Sequence, residues 1–175
     1  MKQLATITDK DITGADTLST AKPRMAVDTV LFDDENNIAL CHLGKFDFYT
    51  LPGGGVDPGE DLITAAKREV LEEAGCQCKI LCEIGTVTEN LGEIDCTQTR
   101  YTYIARVVGE KGDPQLTERE ILLESTVCWH PFEKARQLIA QNIPKDCQQQ
   151  FIKHRDMIVL NEVLANHADK IGGRP

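Results

Sequence analysis

The sequence predicts a single globular domain of the mixed α/β (α+β) class, and three observations support this class. The 175 residues are 41% hydrophobic and 27% charged, which is typical of one folded domain with a sizeable core. Several β-rich segments alternate with stretches of helical periodicity. A glycine-rich segment separates the first strands from the first long helix. We assign residues 25–175 to this domain, including its C-terminal helix, and the polar residues 1–24 to an irregular N-terminal extension.

The first elements are predicted to be two strands joined by a turn. Residues 25–32 are rich in apolar and β-branched side chains, the polar cluster at residues 33–37 is typical of a turn, and residues 38–43 form the returning strand. An aromatic segment, residues 46–51, then leads into Pro52 and three glycines. Because regular elements rarely tolerate such a run, we expect a loop there.

The first long helix is predicted from about Asp61 to Ala74, with Gly75 where a C-terminal cap is expected. Its apolar residues recur along one face, as helical periodicity requires. The remaining elements are strands over residues 79–88 and 97–108, a charged loop over 109–120, a strand over 126–129, a helix from Pro131 to about Gln141, and a last helix from Asp146 to about Ala165.

The last helix is predicted to start at a capping box formed by Asp146 and Gln149. Its apolar residues cover more than one stripe, which leaves two interpretations. The favoured one is docking on the chain's own domain, and the alternative is a second contact that forms a homodimer. Residues 172–175 are expected to be a loose tail.

Charge and composition exclude two classes of partner and indicate a compartment. The chain has 19 basic and 28 acidic residues, a net charge of −9, which repels nucleic-acid backbones. No apolar run exceeds four residues, whereas a membrane-spanning helix needs about 20. The N-terminus has no secretory signal pattern, and the seven cysteines are an odd number. We therefore expect a cytoplasmic protein with reduced thiols.

Carboxylates on the predicted first long helix are the first sign of chemistry. Glu69, Glu72 and Glu73 stand at i, i+3 and i+4, within about a third of a turn of each other. Such like charges repel, and a divalent cation such as Mg²⁺ would relieve the repulsion. On the helix alone, a solvated acidic face neutralised by Lys67 and Arg68 is the favoured interpretation.

The residues before the helix change this balance. Glu60 adds a fourth carboxylate, and the preceding glycines allow a backbone to approach a ligand closely. The whole segment resembles the signature of the Nudix hydrolases, G-x5-E-x7-R-E-U-x-E-E-x-G-U, where U is a bulky aliphatic residue. Its seven fixed positions are filled by Gly54, Glu60, Arg68, Glu69, Glu72, Glu73 and Gly75. One departure is Cys76 at the final aliphatic position, which affects only local packing.

The resemblance implies a fold, an activity and a cofactor. The fold is a Nudix-like α/β/α sandwich with a mixed sheet, in which the signature forms a catalytic loop–helix–loop. Nudix enzymes hydrolyse the pyrophosphate bond of a nucleoside diphosphate linked to another group X, so a nucleotide-type small molecule is the expected partner. The implied ligands of Mg²⁺ or Mn²⁺ are the side chains of Glu69, Glu72 and Glu73 and the carbonyl of Gly53.

The resemblance also implies the remaining site roles. Arg68 orients the signature glutamates by ion pairing, and Glu60 braces the loop. The general base is Glu72 in some relatives and a downstream glutamate in others; Glu120 is our choice among the downstream residues Glu118, Glu120 and Glu124. Gly53, Gly54 and Tyr49 are the expected substrate-binding residues. Tyr49, with Phe46 and Phe48, precedes the glycines and is a candidate for stacking on a base, while at least one of these alternating aromatics is expected to be core.

The substrate within this class stays open. No proline lies between Gly75 and Lys111, where ADP-ribose hydrolases of the family often have one, and Tyr101 comes too late for the pattern of dinucleotide polyphosphate hydrolases. Nucleoside triphosphates, nucleotide sugars or alcohols, and an ADP-ribose-like compound remain. The alternative function is a non-catalytic Nudix-like module that senses a nucleotide, but such modules typically lose signature glutamates, which this chain keeps.

Overall fold

A mixed seven-stranded sheet forms the centre of the molecule in the computed structural model, which describes residues 1–171. The strands are β1 (Gln3–Thr8), β2 (Arg24–Phe32), β3 (Asn37–Leu43), β4 (Phe48–Thr50), β5 (Gln77–Leu91), β6 (Cys96–Val108) and β7 (Ser125–Pro131). Their order is β1-β5-β6-β2-β3-β4, with β7 also paired to β3. The pairs β1–β5 and β2–β6 are parallel and the others antiparallel, so the sheet is mixed.

Helices cover both faces of this sheet. They are α1 (Asp9–Ile12), α2 (Leu62–Ala74), α3 (Glu118–Leu122), α4 (Phe132–Gln141), α5 (Cys147–Asn166) and α6 (Ala168–Ile171). Alternate residues of β2 point to opposite faces. Val30 and Phe32 share a core with α4 and α5, whereas Val27 and Leu31 pack with α2. The expected α/β/α sandwich with a mixed sheet is therefore confirmed.

Most of the predicted elements appear close to their predicted positions. Helix α2 ends at Ala74, and Gly75 adopts the left-handed conformation of a C-cap at φ 65°. A side chain at Gly75 would also collide with the backbone of Gly112. The strands predicted within residues 25–108 are all present, and β5 and β6 are longer than predicted.

The N-terminal segment and the 109–120 loop differ from the prediction. Residues 3–8, predicted to be irregular, form β1 at the edge of the sheet, where Ile7 alone is fully buried. A short edge strand with one buried residue lacks the alternation that marks a strand. The predicted charged loop ends early because Thr117 and Glu120 form a capping box that starts α3.

Helix α5 packs on its own chain from several sides. It contacts α4, β1, β4 and β5, so its wide apolar surface needs no second subunit to explain it. Its N-cap differs from the predicted capping box. The side chain of Asp146 accepts from Gln149 N, but the Gln149 side chain accepts from Lys145 N rather than from the cap residue. The prediction for residues 172–175 lies outside the described residues.

The sheet opens beside β2, and this opening positions the glycine-rich loop. Strands β2 and β3 are in register only at Phe32 and Ile38. Along the rest of that edge the loop takes the place of a strand, since Thr29 N donates to Pro52 O at 2.9 Å and Val27 N donates to Gly54 O at 2.9 Å. In residues 1–171, no helix is both long and apolar enough to cross a membrane.

Candidate active site

The glycine-rich loop lies directly against the signature helix, and two of its positions exclude any side chain. A Cβ on Gly54 would overlap the carboxylate of Glu69, whose carbon would be 2.6 Å away. A Cβ on Gly53 would overlap the backbone of Val27 and Asp28 in β2. The loop is therefore held between β2 and α2 with its main chain exposed to the glutamates.

Helix α2 presents its glutamates because both of its ends are fixed. Asp61 is the N-cap, and its side chain accepts from Ile63 N at 2.9 Å and Thr64 N at 3.0 Å. The small residues Ala65, Ala66 and Ala74 together with Val70 are buried against the sheet. The glutamates at the edge of this buried stripe consequently point toward the glycine-rich loop.

Arg68 links the loop to the helix through five hydrogen bonds. It donates to both oxygens of Glu60 at 3.0 Å and to Gly55 O at 2.8 Å on the loop side. On the helix side it donates to Glu69 Oε1 at 2.8 Å and Glu72 Oε2 at 3.0 Å. The hydrogen bonds from Arg68 lower the pKa of Glu60. Arg68 thus holds three of the four signature carboxylates in fixed positions.

Glu73 has a different environment from the other three carboxylates. Its Oε2 accepts from Gly53 N at 2.7 Å, and Cys41 Sγ lies 3.5 Å from the same oxygen. Burial raises the pKa of Glu73 to about 8, and the charges of Glu69 and Glu120 act in the same direction. Burial also raises the pKa of Glu69, although Arg68 opposes the shift. Both carboxylates therefore favour a nearby positive charge.

The donor set fits a hard divalent cation. Glu69, Glu72 and Glu73 each keep one carboxylate oxygen without a hydrogen-bond partner within residues 1–171. Carboxylate and carbonyl oxygens are the ligands that Mg²⁺ and Mn²⁺ prefer. Over the same residues, no three His, Cys, Asp or Glu side chains are gathered as a ready-made metal site. The glutamates therefore fit a divalent cation by the chemistry of their carboxylate oxygens and by the lack of a full set of positive partners.

The structure brings one of the three downstream glutamates to the site. Glu120 of α3 lines the same cleft as Glu69, Glu72 and Glu73, whereas Glu118 and Glu124 do not. Its Oε2 accepts from Thr117 N at 2.7 Å in the capping box, which fixes the carboxylate. Glu120 is close enough for its charge to act on both Glu69 and Glu73.

Two predicted site residues, Tyr49 and Glu60, are not among the residues that line the cleft, although Glu60 holds the cleft residue Arg68 by hydrogen bonds. The Tyr49 ring stacks on His42, with the ring centroids 4.4 Å apart, and these two residues are opposite each other in β4 and β3. Its main chain exchanges hydrogen bonds with the side chain of Asn142. Tyr49 therefore packs within the β3–β4 pair, and its stacking on a base stays a prediction.

The cleft has a volume of about 390 Å³ and includes polar residues that sequence reasoning missed. These residues are Arg24, Glu89, Gln98, Arg100, Arg119, Gln148 and Arg155. Arg100 donates to Asp28 Oδ2 at 2.7 Å, and Arg155 donates to Asp156 Oδ1 at 2.9 Å, so two buried ion pairs lie beneath the cleft. The sequence does contain one sign of these ion pairs. Asp28 is a charged residue inside an apolar strand, and a buried charge needs a partner of opposite charge.

The fold and the cleft together define a protein of the Nudix-like α/β/α class. The NUDIX domain family model matches residues 22–150, and the chain belongs to the NUDIX family. The resemblance in the signature is thereby confirmed.

Individual relatives agree with this membership. The chain is 38% identical over 56 residues to a protein of Bacillus subtilis (strain 168) provisionally named an 8-oxo-dGTP diphosphatase, and the aligned region spans 32% of this chain and 38% of that protein. The fold is similar to that of a NUDIX hydrolase from Nitrosomonas europaea, with a TM-score of 0.58 and 23% identity over 77% of this chain and 89% of that one.

Two further solved structures share the fold. A MutT NUDIX hydrolase from Burkholderia pseudomallei has a TM-score of 0.57 and 21% identity over 82% of this chain and 99% of that one. The Ap4A hydrolase of C. elegans has a TM-score of 0.56 and 20% identity over 82% and 98% of the two chains. At such identities the likeness shows the fold alone. Membership of the NUDIX family itself rests on the family model.

Proposed function

We propose that this protein hydrolyses the P–O–P bond of a nucleoside diphosphate linked to a group X, with Mg²⁺ or Mn²⁺ bound in the cleft. One observation carries the proposal: Glu69, Glu72 and Glu73 face a glycine-rich loop, and each has a carboxylate oxygen that makes no hydrogen bond within the described chain. Nucleoside triphosphates, nucleotide sugars and ADP-ribose-like compounds are the substrates within this class.

The signature residues divide the work of holding the reacting groups. The side chains of Glu69, Glu72 and Glu73 and the carbonyl of Gly53 would hold the cation. When bound, the cation supplies neutralisation of the diphosphate charge and a lower pKa for an attacking water. Arg68 and Glu60 keep the glutamates and the loop in place, and the open backbone at Gly53 and Gly54 leaves room for a phosphate chain.

Glu120 is the proposed general base. Its carboxylate lies in the cleft on a separate helix and is fixed by Thr117, while Glu72 is held by Arg68 through one oxygen. In the proposed step, a water oxygen attacks phosphorus, its proton passes to Glu120, and the bond to the bridging oxygen breaks. The products are a nucleoside monophosphate and phosphorylated X. Glu72 as the base is the alternative.

The compartment and the kind of partner are proposed from the cysteines and the net charge. All seven cysteines, which lie within the described residues, are free thiols. Free thiols in this number fit a reducing compartment, so we propose a cytoplasmic location. The net charge of −9 favours a small-molecule partner over nucleic acid.

The test is a substrate screen in ¹⁸O-labelled water. Purified protein with Mg²⁺ or Mn²⁺ is incubated with 8-oxo-dGTP, the common nucleoside triphosphates, Ap4A, nucleotide sugars and ADP-ribose. We expect at least one to release a nucleoside monophosphate, with the label on a phosphoryl oxygen. Label in a sugar or alcohol hydroxyl would mean C–O cleavage and would contradict the mechanism. Tight binding without turnover of any compound would support the sensing module instead.

Matched variants test the roles of two carboxylates. We expect Glu73→Gln to lose most activity, with unchanged or higher stability in the absence of metal, because burial raises the pKa of this carboxyl to about 8 and a neutral amide avoids the cost of ionising it there. We expect Glu120→Gln to lower kcat about 10²–10⁴-fold if Glu120 is the base. Glu118→Gln, an exposed position on the same helix as Glu120, is the control and keeps full activity. Near-normal turnover of Glu120→Gln would assign the base to Glu72.

A further inference from the structure

Beyond the signature helix, the floor of the cleft contains a pair of polar side chains that the proposed hydrolysis does not use. Glu89 of β5 and Gln98 of β6 are opposite each other in neighbouring strands. Glu89 is 0% exposed and Gln98 is 7% exposed. Both nevertheless line the cleft that contains the glycine-rich loop. A pair of this kind on the floor of a binding cleft can recognise a polar group of the ligand.

One oxygen of Glu89 has no hydrogen-bond partner within residues 1–171. Gln98 Nε2 donates to Glu89 Oε2 at 2.5 Å, whereas Oε1 accepts nothing. Arg155 Nη1 lies 3.6 Å from Oε1, which makes an ion pair but not a hydrogen bond. A buried acceptor without a donor is costly, because desolvation is not repaid. A donor from a ligand in the cleft would satisfy it.

The orientation of Gln98 is set by its two neighbours. Its Nε2 donates to Glu89, and its Oε1 accepts from Arg24 Nε at 3.1 Å. Gln98 therefore holds the Glu89 carboxylate in one position through Oε2 and leaves Oε1 without a hydrogen-bond donor. Beside this acceptor, Arg155 uses Nε and Nη2 on Asp156, so its Nη1 is the guanidinium nitrogen next to Glu89.

This floor is connected to the catalytic end of the cleft through short contacts. Gly53 packs on Asp28, so closely that a Cβ at Gly53 would lie 2.8 Å from the Asp28 Cα. Asp28 Oδ2 is 3.5 Å from Arg155 Nε, and Arg155 in turn pairs with Glu89. Because the glycine-rich loop and Glu89 line the same cleft, a ligand whose phosphates lie at the loop can extend toward Glu89.

Apolar side chains lie beside the pair and favour a flat ring over a sugar. Leu91 is two residues after Glu89 on the same face of β5, and Phe151 is one helical turn before Arg155 on α5. Both line the cleft and belong to the main core. A planar heterocycle can contact such apolar groups while its polar edge meets Glu89 and Arg155.

We propose that Glu89, held by Gln98 and accompanied by Arg155, recognises the guanine edge of the nucleotide substrate. Guanine carries two adjacent donors, N1–H and the 2-amino group, next to the acceptor O6. A carboxylate beside a guanidinium complements this pattern. Adenine and cytosine place a ring acceptor beside their amino group, and uracil flanks its single N–H with two carbonyls, so each repels the carboxylate. This proposal rests on the proposed function only in taking a nucleotide as ligand.

Binding of uncleavable nucleotides tests the subsite apart from catalysis. Calorimetric titrations use the α,β-methylene diphosphates of guanosine, inosine, adenosine and uridine, each with Mg²⁺ and with EDTA. Inosine differs from guanosine only in lacking the 2-amino group, so we expect guanosine to bind about tenfold more tightly than inosine. A guanosine-to-inosine ratio near one in the wild-type protein overturns the proposal without any variant.

Two variants separate recognition from structural support. In Glu89→Gln we expect the guanosine preference to disappear, because an amide cannot accept two donors side by side. Glu83→Gln makes the same change at an exposed position of the same strand that does not line the cleft, and we expect it to retain the preference. Equal weakening of all four ligands by Glu89→Gln, or loss of the preference in Glu83→Gln, overturns a direct role for Glu89. Guanosine-selective binding without hydrolysis of any nucleotide would refute the proposed function and leave the subsite standing.

Discussion

At the scale of single residues, Arg68 is the side chain on which the geometry of the site depends. Its five hydrogen bonds reach the loop carbonyl of Gly55 and three glutamates. Only a planar guanidinium can address so many acceptors at once, because a lysine ammonium has three donors at a single point. Without this fork, Glu69 and Glu72 would lose their common partner and repel each other.

We therefore expect Arg68→Lys to lower kcat/KM about 10²-fold, the cost of misplaced catalytic groups. The measurement is steady-state kinetics on the best substrate of the screen, with circular dichroism to show that the fold is kept. Lys67→Ala, at the exposed neighbouring position, is the control and changes kcat/KM less than about twofold. Equal kinetics for wild type and Arg68→Lys would mean that a point charge is enough at this position.

Residues close together in sequence could be predicted, and those brought together by the sheet could not. The charged signature residues lie within one loop and one helix, so their spacing in the sequence alone implies that they are close together. They are Glu60, Arg68, Glu69, Glu72 and Glu73. Arg100 and Asp28, by contrast, are separated by 72 residues and meet only because β2 and β6 are neighbours. No local pattern encodes that pairing, and the same holds for Glu89 and Arg155.

At the scale of elements, local signals decided which predictions succeeded. Helix α2 has an N-cap at Asp61, an apolar stripe and a C-cap glycine, so its bounds could be predicted within a residue. Strand β1 has one fully buried residue, and its position depends on pairing with β5, more than 70 residues away. The position of Tyr49 next to the glycines, likewise, says nothing of its stacking on His42.

The loop after β6 is attached to the sheet by the side chain of Lys111. Lys111 Nζ donates to Asp33 Oδ2 at 2.7 Å in the β2–β3 turn and lies 3.6 Å from the ring centre of Trp129. Burial acts to raise the pKa of Asp33, but hydrogen bonds from Lys111 and Asn37 outweigh it and lower this pKa below its ordinary value of 3.8. The interaction contributes stability only while Asp33 is ionised.

We expect Lys111→Met to lower the free energy of unfolding by about 1 kcal/mol at pH 7, since the pair is partly exposed. Because the native pKa of Asp33 is depressed, its contribution is complete above pH 3.8 and is lost as the pH falls through the native pKa. Urea unfolding at pH 7, 5 and 3 is the measurement, with Lys22→Met at an exposed site as control. An unchanged difference between Lys111→Met and wild type at pH 3 would show that the ion pair is not the cause.

At the scale of the whole molecule, the sheet and its helices hold a cleft whose charge is not balanced. Residues from both faces of the sheet line this cleft, because the opening between β2 and β3 lets α2 and α5 reach the same cavity. The buried ion pairs of Arg100 and Arg155 offset part of the charge of Asp28, Glu89 and Asp156, whereas Glu73 has no cationic partner within the described residues. Folding therefore gathers carboxyl groups at one end of the cleft, where a cation would favour their ionised form.

The stability of the whole protein is accordingly expected to depend on divalent cations. A ligand at 100 times its Kd stabilises the folded state by about 2.7 kcal/mol. For a domain of this size that corresponds to a rise in Tm of about 5–10 °C with Mg²⁺ or Mn²⁺ over EDTA. We expect the rise to shrink to about a degree in the Glu69→Gln/Glu73→Gln double variant, measured by scanning calorimetry at matched ionic strength. Glu110→Gln/Glu118→Gln removes the same charge from exposed positions and is expected to respond like the wild type. A full response of the Glu69/Glu73 variant would place the cation elsewhere on the protein.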